Sequence, residues 1–266
     1  MVAPSVGAVT PVKSADRILQ ILELFTADPR PRTYSELLSE TGFPKSSLHG
    51  LLATLTARSW LTEGRPGPTY ALGIKALETG GAYLGANMRE LGSVGVQQIL
   101  DQVATDVGET VNLARLHGQD IVYLAVRRSL HALSLRSAVG ARLPAYASAM
   151  GKAMLASWSD AEVRNHFDQP FTALARNTVT DVEVLIEHLG QVRDLGYAVE
   201  FEEATDGIGC IAVPVSAANA EQLAISASFP LTRHNKQMEN HVVDCLSTAR
   251  EHIYTALTVD PTVEIS

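Results

Sequence analysis

Hydrophobic positions in the first quarter of the chain recur at helical spacing. After a polar leader, Ser14 is placed as an N-cap, and Ile18, Leu22 and Phe25, with Leu19 beside them, mark one face of a first helix. Pro29 and Pro31 stop it. Thr33 and Glu36 have the spacing of a capping box that opens a second helix through Leu37 and Leu38. Thr41-Gly42 closes that helix, and Pro44 suits the first position of a third, along which Leu48, Leu51, Leu52 and Leu55 form one stripe. Trp60-Leu61-Thr62 and Thr69-Tyr70-Ala71-Leu72 read as short strands around a Pro66-Gly67-Pro68 turn. Three helices, a short turn between the second and third, and a hairpin predict a winged helix-turn-helix ending near Leu72.

From Gly73 to about Val107 the pattern stays helical but is interrupted by Gly80, Gly81, Gly85, Gly92 and Gly95. Each interior glycine costs about 0.5–1 kcal/mol relative to alanine, which predicts a linker helix with breaks. Beyond Gly108 the period changes. Residues 110–116 and 121–126 alternate as strands about a Gly118-Gln119 turn; helices are predicted near 151–158 and 181–195, and strands at 197–201, 210–216 and 222–229. Met238, Val242, Cys245, Leu246, Ala249 and Ile253 share one side of a long last helix. The fold class is α+β, or α/β in its second domain.

Composition narrows the functional class. The 266 residues are 46% hydrophobic and 19% charged, which excludes global disorder. Two cysteines, Cys210 and Cys245, are too few for a disulfide framework or a structural zinc site. No apolar run approaches the ~18 residues needed to span a bilayer, and Met1 to Pro4 begin no secretory signal, so a soluble cytoplasmic protein is expected. The net charge of −8 is uneven: residues 1–80 carry +1 and the remainder −9, which suggests two units with different partners.

Opposite its leucine stripe the third helix carries Ser46, Gly50, Ala53 and Ala57, flanked by Lys45, Ser47, His49 and Thr54. Small side chains let a helix lie close in a groove, and recognition helices use mainly their N-terminal residues. Lys45, Ser46, Ser47 and His49 are therefore candidate DNA contacts, with Thr33 at the start of the second helix and Arg65 at the hairpin tip. A plain solvent-facing helix side fits the same residues.

In the late strands, residues two apart share a face. Ile211, Val213 and Val215 are bulky, and Leu223, Ile225, Ala227 and Phe229 match them; Cys210, Ala212, Ser226 and Ser228 take the other side. A loop centred near Asn219 sets Val213 opposite Ile225, Ala212 opposite Ser226 and Cys210 opposite Ser228. The small face offers room and donors for a ligand; a helix packed over serines bonded to backbone explains it slightly better from the residues alone.

Thr41-Gly42-Phe43-Pro44-Lys45-Ser46-Ser47-Leu48-His49-Gly50-Leu51-Leu52 resembles the recognition helix of the isocitrate lyase regulator (IclR) family, and Arg17-Ile18-Leu19 its first helix. Tyr70-Ala71-Leu72-Gly73 resembles the end of its wing. Gly108-Glu109-Thr110-Val111, Ser148-Ala149-Met150-Gly151-Lys152, Gly196-Tyr197-Ala198-Val199-Glu200-Phe201-Glu202-Glu203 and Gly207-Ile208-Gly209-Cys210 extend the likeness, as an ordered set, from about Ser14 to Leu257. Many members carry Arg where this chain has Gly50. The resemblance implies a leader (1–13), a winged helix-turn-helix (14–73), a linker helix (74–107), a GAF-like effector-binding domain (108–258) and a tail (259–266). It implies a transcriptional regulator, a repressor rather than an activator, acting as a homodimer or a tetramer on a pseudo-palindromic DNA operator under control of a small organic metabolite. Positions matching Ala149, Met150, Cys210, Ser226 and Ser228 line the family's effector site, with Leu143, Glu200 and Ile208 nearby. The Met150 amide and the serine hydroxyls would hold a carboxylate or carbonyl end.

Enzyme readings are weaker. No histidine lies near Cys210 in sequence, and buried inert cysteines are common. If Glu202 and Glu203 lie on a strand they point to opposite faces and cannot act together. No HExxH or other metal-ligand spacing is present. No cofactor, metal or catalytic residue is expected; a small-molecule hydrolase or isomerase, or a ligand-binding module working through protein partners, is the alternative.

Overall fold

A computed structural model describes residues 11–64, 68–87, 94–131, 133, 137–216 and 222–258. The chain divides into two compact units, Met1–Arg89 and Glu90–Ser266. The division falls inside the stretch read as a linker.

The first unit contains α1 (Lys13–Ala27), β1 (Arg32–Thr33), α2 (Tyr34–Thr41), α3 (Lys45–Ala57), β2 (Leu61–Gly64), β3 (Thr69–Leu72) and α4 (Ile74–Asn87). Its core joins Ile21 and Phe25 of α1, Leu37 of α2, Leu48, Leu52 and Leu55 of α3, and Leu61. The capping box forms as the sequence predicts: the Glu36 N–H donates to the Thr33 hydroxyl at 3.2 Å and the Thr33 N–H to Glu36 Oε2 at 2.7 Å. The Thr33 N–H foremost, then the Thr33 hydroxyl and the Arg30 guanidinium, hold the Glu36 carboxyl down to about 2. Gly42 closes α2 in the left-handed conformation, φ 64°, which only glycine adopts freely.

Four details differ from expectation. α1 starts at Lys13, with Val12 as its N-cap, rather than after Ser14; a cap preference of about 1 kcal/mol does not fix a helix start against packing. The buried stripe centres on Ile21 and Phe25, leaving Leu19 exposed. Pro44 is the N-cap of α3, not its first helical residue: its ψ of 137° is extended while its carbonyl accepts from the Leu48 N–H. α4 runs unbroken through Gly80, Gly81 and Gly85, because an interior glycine costs stability without forbidding the helix. Gly92 and Arg65 lie outside the described residues.

The second unit holds a six-stranded antiparallel sheet of order β6-β5-β4-β9-β8-β7. Its strands are β4 (Thr110–His117), β5 (Asp120–Arg127), β6 (Arg142–Pro144), β7 (Ala198–Phe201), β8 (Ile208–Ser216) and β9 (Gln222–Pro230). Its helices are α5 (Val94–Val107), α6 (Ala149–Leu155), α7 (Asp160–His166), α8 (Val182–Leu195) and α9 (Lys236–Thr258). α5 packs on α9 and α9 on β8 and β9, while α6 covers the other face and α8 packs on α6. The β8–β9 register is the expected one, with Cys210 opposite Ser228, Ala212 opposite Ser226 and Val213 opposite Ile225. Glu202 and Glu203 are not on a strand. β7 ends at Phe201, and Glu202 turns the chain at φ 59°.

α6 lies hard against the 3-10 turn Ala145–Ala147; a Cβ on Gly151 would stand 2.1 Å from the Ala145 carbonyl oxygen, whereas one on Gly80 meets nothing within 4 Å. Gly151→Ala should therefore destabilise the protein by at least the roughly 1–3 kcal/mol of an overpacked core, and Gly80→Ala should stabilise it by about 0.5–1 kcal/mol. Urea unfolding checks both. Equal small shifts would show that α6 has room this packing denies it.

Candidate functional site

The first turns of α3 bring Lys45, Ser46, Ser47 and His49 together. Lys45, Ser46 and His49 are exposed; Ser47 is half-buried. Two contacts from other elements fix this end of the helix. The Tyr34 hydroxyl donates to the Lys45 carbonyl at 2.9 Å, and Arg17 Nη1 donates to Ser47 Oγ at 2.8 Å. The Arg17 guanidinium also lies 5.0 Å from the centre of the Phe43 ring, within cation–π range. Thr33 is exposed at the start of α2, its hydroxyl engaged in the capping box. Arg17 is the basic group that sequence reasoning did not place here, since only the packing of α1 on α3 brings it beside Ser47. At Gly50 a Cβ would meet nothing within 4 Å, so the helix surface is open there.

In the second unit the small face of the sheet forms a row across four strands. Glu200 on β7 pairs with Cys210, Cys210 with Ser228, and Ser228 with Thr110 on β4. Above it lies a cavity of about 230 Å³, lined by Leu143, Ala149, Met150, Glu200, Ile208, Cys210 and Ser228 among others. Ser226 is off the lining, fully buried one row over, opposite Ala212 and Asn112. Tyr123, Ser137, Arg142, Ser148 and Thr205 complete the wall. Tyr123 was legible only as an alternating strand residue, and Arg142 belongs to a strand too short to show a period.

The polar chemistry of this wall is that of hydrogen-bond donors. Ser228 Oγ accepts from Asn112 Nδ2 at 3.2 Å and shares a hydrogen bond of 3.3 Å with Cys210 Sγ, in which either group can donate. Burial, reinforced by the Glu200 carboxyl, pushes the Cys210 thiol up to about 12. Such a thiol stays protonated at neutral pH. Burial likewise pushes the Tyr123 hydroxyl above its ordinary range. Among the described residues no cluster of three His, Cys, Asp or Glu side chains could hold a metal ion, and no helix is long and apolar enough to cross a membrane.

Comparison with known proteins assigns both units. Residues 93–255 match the family model for the bacterial transcriptional regulator IclR C-terminal domain, and residues 14–64 match the IclR helix-turn-helix domain. The chain belongs to the IclR family. It is 31% identical over 209 residues to the HTH-type transcriptional regulator XynR of Escherichia coli K12, covering 77% of this chain and 80% of that one. It is 30% identical over 235 residues to the transcriptional repressor IclR of the same organism, covering 87% and 84%. An IclR homolog from Microbacterium hydrocarbonoxydans, solved in complex with 4-hydroxybenzoate, superposes with a TM-score of 0.79 at 26% identity, covering 92% of this chain and 98% of that one. This IclR-family protein is a DNA-binding transcriptional regulator with a helix-turn-helix domain and a separate effector domain.

Beneath the cavity the IclR-type domain buries an ion pair that the sequence did not reveal. Lys152 of α6, 1% exposed, donates to Glu203 through a short bond and lies 3.1 Å from His188 Nδ1 on α8. Burial holds the Lys152 ammonium below its ordinary range against the pull of Glu203. Glu203 donates its backbone N–H to Glu200 Oε2 at 3.0 Å. Burial raises the Glu200 carboxyl from its usual 4.5 to about 7, although that bond opposes the shift.

A carboxyl raised by folding keeps a proton that the unfolded chain releases. Its contribution to stability is therefore whole below about pH 4.5 and is lost progressively as the pH rises toward 7. Glu200→Gln keeps an acceptor for the Glu203 N–H without the charge. Its unfolding midpoint should exceed that of the unaltered protein near pH 8, with the advantage shrinking toward about pH 5. An advantage independent of pH would show that Glu200 does not titrate in this way.

Proposed function

We propose that this regulator is a cytoplasmic repressor, not an enzyme, that binds a pseudo-palindromic operator as a homodimer or a dimer of dimers and responds to a small organic acid. The observation that carries the effector half is the convergence of Leu143, Ala149, Met150, Glu200, Ile208, Cys210 and Ser228 on one cavity. Its volume of about 230 Å³, at roughly 30 Å³ per water-sized group, accommodates about eight such groups. The relative solved with 4-hydroxybenzoate supports a ligand of that size, and the E. coli relative's name supports repression. Ala149 and Met150 open α6, so their N–H groups have no acceptor within the helix and are available, with the Ser228 hydroxyl, to a carboxylate. Ser226 contributes from behind, by shaping the row that holds Ser228.

On the DNA side Lys45, Ser46 and His49 face the groove from the start of α3. Arg17 steadies Ser47 and adds positive charge beside it. Arg65 is a further DNA contact, and Thr33 holds the start of α2 in register through its cap. A two-fold protein implies half-sites separated by whole turns of DNA. The effector changes DNA affinity only to the extent that it binds one of the two states better than the other.

The protein should retain a few fragments of its host's genomic DNA that share a symmetric motif, and do so at two salt concentrations. Lys45→Ala should weaken all retained sites and lower the salt dependence by about one charge. His49→Ala should instead cost about 1–3 kcal/mol at the motif and relax the sequence at one position. Sequence-blind retention by the unaltered protein, or motif retention untouched by both substitutions, would contradict the assignment of α3 as the reading helix.

A further inference from the structure

The charges around the cavity do not balance in the way an acid-binding pocket normally requires. Its ionisable lining consists of Glu200, Cys210, Tyr123 and Arg142. Arg142 sits at the rim, more than half exposed, with Asp120 at 3.5 Å. The buried cation that acts on Glu200, Lys152, is bonded to Glu203 instead. Glu200 is 4% exposed, and one of its oxygens accepts from the Glu203 N–H. A carboxylate ligand held against the Ser228 and Tyr123 hydroxyls would thus meet a second, protein carboxylate that is itself buried.

Taking the cavity as the effector site, we propose that it takes up a small monocarboxylate together with one proton, carried on Glu200. The Glu200 oxygen that does not accept from the Glu203 N–H gains the proton from solvent and donates it in a hydrogen bond to the ligand's carboxylate, so that the occupied chamber holds one negative charge rather than two. No other bond is made or broken. Two carboxylates in contact in a low-dielectric site cannot both stay ionised, as one raises the proton affinity of the other. The remaining lining groups agree with an anion: burial keeps the Tyr123 phenol and the Cys210 thiol un-ionised, and Cys210 and Ser228, which share one hydrogen bond, have a second proton between them to offer.

Several elements bring charged and polar groups against Glu200. From the loop after β7 come Glu203 and the N–H of Ala204; from α6, Lys152; from β8, Cys210; from β5, Tyr123. On α8, burial and Lys152 hold His188 below its usual 6.5, so it is already neutral where Glu200 ionises.

Calorimetric titration of the full-length protein with benzoate, phenylacetate and hexanoate tests this, since each has about the size the cavity takes and is fully ionised above about pH 6. Between about pH 6 and about pH 7 the affinity should be nearly constant, and above that it should fall about tenfold per pH unit, with close to one proton taken up per ligand in buffers of different ionisation enthalpy. Glu200→Gln, a neutral donor of the same shape, should bind with no such fall and should exceed the unaltered protein at least tenfold near pH 8.5. The proton count of the unaltered protein stands even if the variant does not fold. Acid binding that is flat with pH, or a slope retained by Glu200→Gln, overturns the proton linkage while leaving the effector site in place. Tighter binding of benzylamine than of benzoate, strengthening as pH rises, also overturns it, because an ionised Glu200 then holds a cation. If no acid binds either protein at any pH, the effector reading of the cavity fails, and the proposal with it.

Discussion

The antiparallel pairing of β8 with β9 constrains almost everything else in the second unit. With Val213 opposite Ile225, the branched side chains of both strands share the face that α9 covers, and Cys210, Ala212, Ser226 and Ser228 share the other. A slip of one residue would move every side chain to the opposite face and mix large with small. Because the small face is short of volume, α6 cannot close down on it everywhere, and the space left over is the cavity. The core and the cavity are consequences of the same register. Gly209, where a Cβ would come within 3.0 Å of the Phe201, Leu231 and Phe229 side chains, shows how tightly the strand is packed beside that space.

Polar groups buried under the cavity serve geometry more than stability. A buried ion pair gains little over a well-packed apolar one, yet losing one partner costs about 3–5 kcal/mol. Lys152–Glu203 joins α6 to the loop after β7, and the same loop supplies the N–H that holds Glu200. The helix that presents Ala149 and Met150 and the strand that presents Glu200 are thereby tied into one wall. At the start of the interior strand β4, Arg233 grips Glu109 with two parallel bonds of 2.5 and 2.6 Å, anchoring that strand to the turn before α9. Helix and strand are therefore held by two charge pairs.

Local patterns were legible where one rule governs the backbone. The Thr33/Glu36 cap, the Gly42 stop, the β4–β5 turn and the β8–β9 register follow from spacing alone. Two-residue β1 and three-residue β6 are too short to show a period. α7 was missed although Ser159 and Glu162 repeat the capping-box spacing that identified α2. The strand assumption for Glu202 and Glu203 failed because a non-glycine left-handed residue carries no sequence mark. Arg17 beside Ser47, and Lys152 beside Glu203, are separated by 30 and 51 residues and exist only through tertiary packing. Family resemblance supplied the cavity residues that local rules left undecided between a ligand site and a covered face.

The central claim is that the small-residue face is a chamber through which a metabolite alters DNA binding. Ser228→Leu tests it most directly, because three added carbons would occupy a cavity of about 230 Å³ without touching the reading helix. The measurement is retention of genomic fragments with and without the protein-free small-molecule extract of the host cells. The account predicts that the extract changes motif retention by the unaltered protein and leaves retention by Ser228→Leu unaffected. An equal response from both proteins would show that the signal enters elsewhere.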